Sequence, residues 1–578
     1  SELEQGAQVD RNKRFRLFSS LYGEVEILKG LKYRLNFGPD FTQNRNGRFI
    51  GRFTNDRRGG DPTAANSEDF VTSYTLENLL TYNKTIKDVH AVNFTGLYSV
   101  QTRSQEASNN AVQGVPIEGM ENFNVSAAPI ITGVGSSYEK WSILSYMARL
   151  NYVFDGRYLL TLTGRADGSS RFSPGQKWGF FPSVAVGWNI TEEGFMKETR
   201  LINLLKLRAS YGQTANTGIN PYQTLGGLSR TTYAFENTPA YGYRPGSIPN
   251  SNLKWESTAS YNAGLDFGLF DNRVTGSLEW YQQNTTNLLL LRQLPITSGF
   301  PNILENIGST KNSGYEVTLS TINIENRDAK NGFTWSTDLN FAHNKEEIVD
   351  LYGGKRSDIG NLWFIGQPIR VIYDYEKIGI WQTGDKDMAA TFSQKPGQIR
   401  IKDRNNDGKI NADDRVILGN DVPKLSGGFT NRFAFKGFDL AVFIFARFGS
   451  KITSGFHDGA WMQLQGRYNN LKVDYWSEKN PTNRYPRPDE NSERPIYSST
   501  LRYFDGSFVK IRNINLGYNI PEAAVKRIRF QSLRVYASAQ QPLIFASYRQ
   551  KEKGIDPEYT TVNTPATSMY SLGVNAKF

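Results

Sequence analysis

The chain has 578 residues, 67 Lys and Arg against 56 Asp and Glu for a net charge of +11, three His and no Cys. The lack of Cys rules out disulfides, thiolate metal sites and Cys nucleophiles. A mean hydropathy of −0.51, with no apolar run longer than Leu440–Ala446 between Asp439 and Arg447, rules out spanning helices, which need ~20 apolar residues. The basic residues are scattered, without a block or a nucleic-acid-binding motif, so nucleic acid is not an expected partner.

Alternation of apolar and polar residues predicts about 17 strands. In chain order they fall near 13–28, 31–45, 69–87, 90–107, 138–154, 156–168, 178–192 and 204–215. The rest fall near 256–270, 272–285, 312–325, 332–345, 425–436, 437–452, 507–519, 529–542 and 568–578. In one of them Leu144, Tyr146, Ala148, Leu150, Tyr152 and Phe154 alternate with Ser145, Met147, Arg149 and Asn151, and Asp155-Gly156 then makes a tight turn. The last strand sets Tyr570, Leu572, Val574, Ala576 and Phe578 against Ser571, Gly573, Asn575 and Lys577.

The connections alternate between short and long. Short ones are Lys29-Gly30-Leu31, Asp155-Gly156, Asp271-Asn272 and Lys436-Gly437, whereas long loops run over 214–255, 347–424, 453–506 and 543–567. Tight turns at one end and long loops at the other predict an all-β, antiparallel transmembrane β-barrel with extracellular loops and a periplasmic C-terminus. A soluble sandwich would not sustain that asymmetry. Aromatics at strand ends (Tyr152, Phe154, Tyr158, Trp188, Tyr211) suit interfacial girdles. Single-chain bacterial barrels have even strand numbers, so an odd count predicts earlier strands outside this sequence. An open sheet would leave bare backbone in lipid. Ser1-Glu2-Leu3-Glu4 has no signal-peptide pattern, which predicts a mature form or a piece of a longer protein.

Several segments together resemble the SusC/RagA-like branch of the TonB-dependent outer-membrane transporters of Bacteroidota. They are Arg165–Phe172 (RADGSSRF) followed by Trp178–Pro182 (WGFFP), then Leu207–Thr214 (LRASYGQT) with Asn252–Glu256 (NLKWE). Asn306-Ile307-Gly308 precedes Asn312–Glu316 (NSGYE), and Gly366-Gln367-Pro368-Ile369 precedes Gly379-Ile380-Trp381-Gln382. Asp474-Tyr475-Trp476 and Ser507–Ile514 (SFVKIRNI) complete the set. The resemblance covers essentially the whole chain. It implies a 22-stranded barrel, of which residues 1–578 would be the C-terminal part, without about five strands, the N-terminal plug and the TonB-contacting segment. It also implies a SusD-like surface lipoprotein lid and energy from the TonB complex through that N-terminal region, with outer-membrane lipid around the barrel.

One local motif points to a metal. Asp403, Asn405, Asp407, Asn411 and Asp414 stand at the oxygen-ligand positions of a twelve-residue calcium loop over 403–414, with Lys409 as a further ligand position, Gly408 at the sharp turn and Ile410 as anchor. Asp414 replaces the usual bidentate Glu, and no helix precedes the loop. The expected role is structural, to stiffen the loop 347–424. The competing reading is an Asx-rich turn without metal. Catalysis has little support: His90, His343 and His457 lie in no metal or nucleophile motif, each is expected on the surface or in the lumen, and no catalytic residue or organic cofactor is expected. Trp255, Trp363, Trp381, Trp461 and Trp476 lie in or beside long loops, where packing between loops or on a lid is favoured over stacking on sugars. The function expected is import of a bulky nutrient, oligosaccharide or peptide, and not an enzyme activity. The alternative is a barrel serving as a structural subunit of a larger outer-membrane assembly.

Overall fold

The structure, a computed structural model, describes residues 7–326, 332–457, 473–489, 494–527, 530–560 and 567–578. Among the described residues eighteen strands belong to one antiparallel sheet. They are β1 (Gln8–Phe18), β2 (Leu21–Leu28), β3 (Leu31–Ile50), β4 (Thr63–Ile86), β5 (His90–Gln113), β6 (Ile130–Phe154), β7 (Tyr158–Ser169), β8 (Trp178–Asn189) and β9 (Ile202–Asn216). The remainder are β10 (Glu256–Leu269), β11 (Val274–Thr286), β12 (Ser309–Glu325), β13 (Thr334–Asp350), β14 (Leu425–Phe435), β15 (Phe438–Phe448), β16 (Phe508–Asn519), β17 (Ser532–Ala546) and β18 (Met569–Lys577). No helix among the described residues is long and apolar enough to cross a membrane.

β1 and β2 are two halves of one pass. β2 pairs with Leu31–Phe37 and β1 with Asp40–Ile50, both on β3. Pro39 lies opposite the break and has no N–H to donate to that pairing. The eighteen strands therefore make seventeen passes, one at each predicted position.

Several strands run further than predicted. β3 continues to Ile50, β4 starts at Thr63, β5 ends at Gln113 and β6 starts at Ile130. The added ends of β4 and β5 are largely polar, such as Asn66-Ser67-Glu68 and Asn109-Asn110, whereas that of β6 begins Ile130-Ile131. The polar ends keep the ladder but lack the apolar row by which strands were recognised.

The chain divides into two compact units. The first holds residues 1–188, 210–260 and 285–307, in which β3 to β8 pair in chain order. Register places like residues side by side: Leu150, Leu162 and Val184 form one cross-strand row on one face. On the other face Glu77, Ser99, Ser145 and Asp167 form a polar row. Phe37, Phe41, Phe70, Leu80, Leu162 and Val186 are exposed on the apolar face. That inversion of ordinary burial is what a sheet in lipid requires. At the predicted Asp155-Gly156 turn both residues have positive φ, 50° and 70°, the twist that matches a two-residue hairpin.

The second unit holds residues 189–209, 261–284 and 308–578. Here β12, β13, β14, β15, β16, β17 and β18 pair in succession. Lys436 and Gly437, φ 48° and 85°, turn β14 into β15. β18 pairs with β17, and the β1–β2 pass with β3.

Buried apolar clusters lie in the connections and at strand ends beside them. In the first unit Phe172, Ile219 and Leu253 pack together, and Phe49, Ala64, Val112 and Val115 form a second cluster. In the second unit Ile380, Ile399, Ile401, Trp476, Tyr485 and Leu501 make a loop core.

Candidate functional site

In the first unit the polar face carries a cavity of about 400 Å³ bordered by Glu77, Ser99, Gln101, Ser145, Arg165, Asp167 and Trp255. The parity of the strands puts the first six together, since they are successive members of the polar rows of β4 to β7, and Trp255 joins them from the connection before β10. Arg165 is fixed by both oxygens of Asp167, 3.0 and 2.9 Å from Nε, and by donation from Nη2 to Ser145 Oγ at 3.1 Å. Trp255 donates from Nε1 to the Lys177 carbonyl at 2.9 Å. Its ring lies 5.4 Å from Phe172 and 5.6 Å from Phe181. The expectation that the loop tryptophans pack loops together thus describes Trp255, which also borders the cavity.

The same holds in the second unit. Trp381 and Trp476 are buried, 2% and 5% exposed. Trp476 donates from Nε1 to Gln382 Oε1 at 2.9 Å and Trp381 donates to Gln394. The Arg400 guanidinium covers the Trp381 ring at 4.4 Å. Trp363 lies in a two-residue strand, half-buried, with Asp358 opposite. Trp461 lies outside the described residues.

Two polar clusters hold the loop after β17. Lys510, on β16 and fully buried, donates from Nζ to Asp556 Oδ2 at 2.8 Å and to Glu558 Oε2 at 2.5 Å. Arg512 donates to Glu558 Oε1 at 2.7 Å. Nearby, Ser454 Oγ lies 2.8 Å from His457 Nδ1 and 2.6 Å from the Tyr548 hydroxyl, while His457 Nε2 lies 2.9 Å from the Glu552 carbonyl. His457 is 1% exposed, which corrects the expectation of a surface or lumen residue. Besides Ser454, the groups that cover it, the Tyr548 ring and the Glu552 carbonyl, come from a loop some ninety residues later, so local sequence could not reveal its burial. Burial holds its imidazole below the ordinary value, opposed by the Glu552 carbonyl and carboxylate. Lys377, which donates to the Arg484 carbonyl, is pushed down to about 8, also by burial. His90 lies 2.8 Å from the Tyr152 hydroxyl beside a short turn, and His343 faces the Lys424 carbonyl.

The predicted calcium residues come together in one loop. Asp403 accepts from the amides of Asn406 and Gly408 at 2.7 and 2.9 Å, Asn405 from Asp407 at 3.1 Å, and Asp407 from Lys409 at 2.8 Å. Asn411 accepts from the Asp413 amide, and Asp414, fully buried, accepts from the Arg404 and Asn411 amides, all at 2.8 Å. Gly408 takes φ +75° at the sharp turn, and Ile410 packs against the loop core. Among the described residues no group of three or more His, Cys, Asp or Glu is placed to hold a metal ion. The carboxylates are held by backbone amides, with further lone pairs remaining on their oxygens.

Comparison with known proteins gives the family. The profile described as TonB dependent receptor-like, beta-barrel matches residues 5–540. TonB-dependent receptor P3 of Formosa agariphila is 32% identical across 99% of this chain and 59% of its own length. TonB-dependent receptor SusC of Bacteroides thetaiotaomicron is 31% identical across 76% of this chain and 44% of its own. The solved RagAB peptide transporter matches all of this chain and 63% of that chain with a TM-score of 0.85 at 21% identity, a likeness of fold. The chain spans 58–59% of the first curated relatives it matches. With its alternating strands and exposed apolar face, the chain belongs to the TonB-dependent receptor family, in the SusC/RagA-like branch, and carries that family's β-barrel.

Proposed function

We propose that this chain forms the wall of an outer-membrane transporter that imports a bulky nutrient, an oligosaccharide or peptide. In this reading the long loops are extracellular, the C-terminus is periplasmic, a SusD-like surface lipoprotein closes the barrel and the TonB complex supplies energy. The observation that carries it is the row Glu77, Ser99, Ser145 and Asp167 with Arg165 and Trp255. Fixed donors and acceptors beside an aromatic ring, backed by a lipid-type apolar face, suit a solute with many hydroxyls or amides. The relatives support it: one is a SusC receptor, and the RagAB structure is named a peptide transporter. The reading assigns no catalytic group.

The test is uptake of labelled oligosaccharides and peptides by a deletion strain, with and without TonB. TonB-dependent loss of uptake is expected. Unchanged uptake with defective envelope assembly would replace transport by a scaffolding role. We also propose that the 403–414 loop takes a structural calcium ion, supported by the spacing of its oxygen ligands. Metal content of wild type and Asp407→Ala by mass spectrometry tests it, and equal, negligible calcium in both would refute it.

A further inference from the structure

The polar face of the first unit continues beyond the cavity that Trp255 borders. One pleat further from the short turn Asp155-Gly156, the row Thr75, Gln101 and Ile143 is succeeded by Ser73, Arg103 and Trp141. In the orientation proposed above, a solute entering from the long-loop end meets this row first. Arg171, in the connection after β7, reaches the same row. Its guanidinium lies 4.6 Å over the Trp141 ring, and Nη1 donates to Thr217 Oγ1 at 3.2 Å.

The two arginines are held but not neutralised. Arg103 donates from Nη2 to Gln105 Oε1 at 2.7 Å, and Gln105 donates from Nε2 to Asp69 Oδ1 at 2.6 Å, so an amide stands between guanidinium and carboxylate. Among the described residues neither Arg103 nor Arg171 forms an ion pair, whereas Arg165 in the same wall is paired with Asp167. Arg171 Nε is buried and donates to nothing. Burial and then the charge of Arg103 lower the Arg171 pKa, and Glu139 opposes them by less. The nearest strong charge that Arg171 feels is therefore another cation.

A planar fork with unused donors, fixed on an aromatic ring beside a second cation, calls for an oxyanion. A buried donor without an acceptor calls for the same. The wall indicates what carries it. Around the cavity β4, β5 and β6 are paired along both edges, and beside Trp141 the Ser142 amide and carbonyl are taken by Ser170. No backbone there is free to add a peptide strand. The solute meets side chains instead, hydroxyls and amides beside Trp255, which suit a sugar. We propose that Arg103 and Arg171 form the outer contact station for an acidic oligosaccharide and bind the oxyanion, carboxylate or sulfate, that one of its sugars carries. The inference deepens the import reading above and rests on it.

The experiment measures binding to the full-length protein in lipid nanodiscs by titration calorimetry. The probes are hexagalacturonate, its methyl ester, a sulfated carrageenan hexasaccharide and hexaglutamate. The proteins are wild type, Arg103→Gln, Arg103→Gln/Arg171→Gln, Arg103→Lys and a control, Lys436→Ala, at a short turn. Arg103 is varied alone because Arg171 also packs on Trp141. Heat-modifiable migration checks that each barrel is folded. Wild type and the control should bind one of the acidic sugars at least about tenfold more tightly than the methyl ester, from two charge-assisted contacts. Arg103→Gln should lose part of that preference and the double variant all of it, while Arg103→Lys should keep more than Arg103→Gln. Whichever acidic sugar is preferred identifies the group as carboxylate or sulfate. No preference in wild type, binding of no probe, or a preference that survives in the double variant overturns the station. Hexaglutamate bound as tightly as the better acidic sugar overturns the sugar assignment. Uptake by the deletion strain tests import separately: TonB-dependent uptake without an acid preference refutes the station alone.

Discussion

Lys510→Met isolates what holds the loop after β17. The Lys510 ammonium and Asp556 carboxylate are both fully buried, 2.8 Å apart, and Glu558 completes the cluster. Met keeps much of the aliphatic volume but leaves Asp556 in a dry site without its counter-ion. Removing one partner of a buried pair costs about 3–5 kcal/mol, which raises the opening constant of the loop at least ~10²-fold, at 1.36 kcal/mol per factor of ten. Glu558 keeps Arg512 at 2.7 Å, so the effect should concentrate on residues around Asp556. Hydrogen exchange of residues 547–560 in the membrane-embedded protein reads it, with the β16–β17 ladder as internal control. A second variant, Lys510→Met/Asp556→Leu, removes the stranded charge and should restore at least half of the lost protection. Unchanged exchange in Lys510→Met, or equal loss in both variants, would refute the reasoning that uncompensated burial is the cause.

Acid should loosen the neighbouring cluster. Because burial keeps the closed-state His457 pKa below its ordinary 6.5, the opened loop binds a proton that the closed loop does not. The stabilisation is full above pH 6.5 and falls as pH drops below it. Exchange at 454–457 and 548–552, corrected for intrinsic rates, should accelerate between pH 7.5 and 5, and His457→Gln should flatten that dependence. Trp476→Ala empties the centre of the loop core around Ile380, Ile399 and Leu501. At about 3–5 kcal/mol it should speed tryptic cleavage at Arg484 without altering heat-modifiable migration. Arg165→Ala and Trp255→Ala should each lower uptake several-fold with the barrel intact, and normal uptake in both would remove the polar row from the solute path.

The strands were legible because lipid imposes a period-2 code. The row Leu144 to Phe154 and its polar complement survive intact in β6. The code ends where the apolar face ends, so the polar extensions of β4 and β5 carry no such signal although the ladder continues through Asn66 and Asn110. Lys510 stands between Val509 and Ile511 in β16. Its partners Asp556 and Glu558 lie 46 and 48 residues away, a separation that carries no local signal. For the calcium positions the sequence supplied residue types and spacing, while among the described residues no group of three or more carboxylates is placed to hold a metal ion. Their carboxylates also satisfy backbone amides, which spacing alone does not distinguish from ligation.

The central claim is that the two faces of this sheet meet lipid and water respectively. The chain has no Cys, so single cysteines placed one by one from Leu144 to Phe154 and spin-labelled in the reconstituted full-length protein test it directly. Collision with oxygen, which partitions into lipid, should peak at Leu144, Tyr146, Ala148, Leu150 and Tyr152. Collision with a water-soluble nickel chelate should peak at Ser145, Met147, Arg149 and Asn151. Uniform accessibility along the segment, or the opposite phase, would contradict a transmembrane wall with its polar row on the solute side.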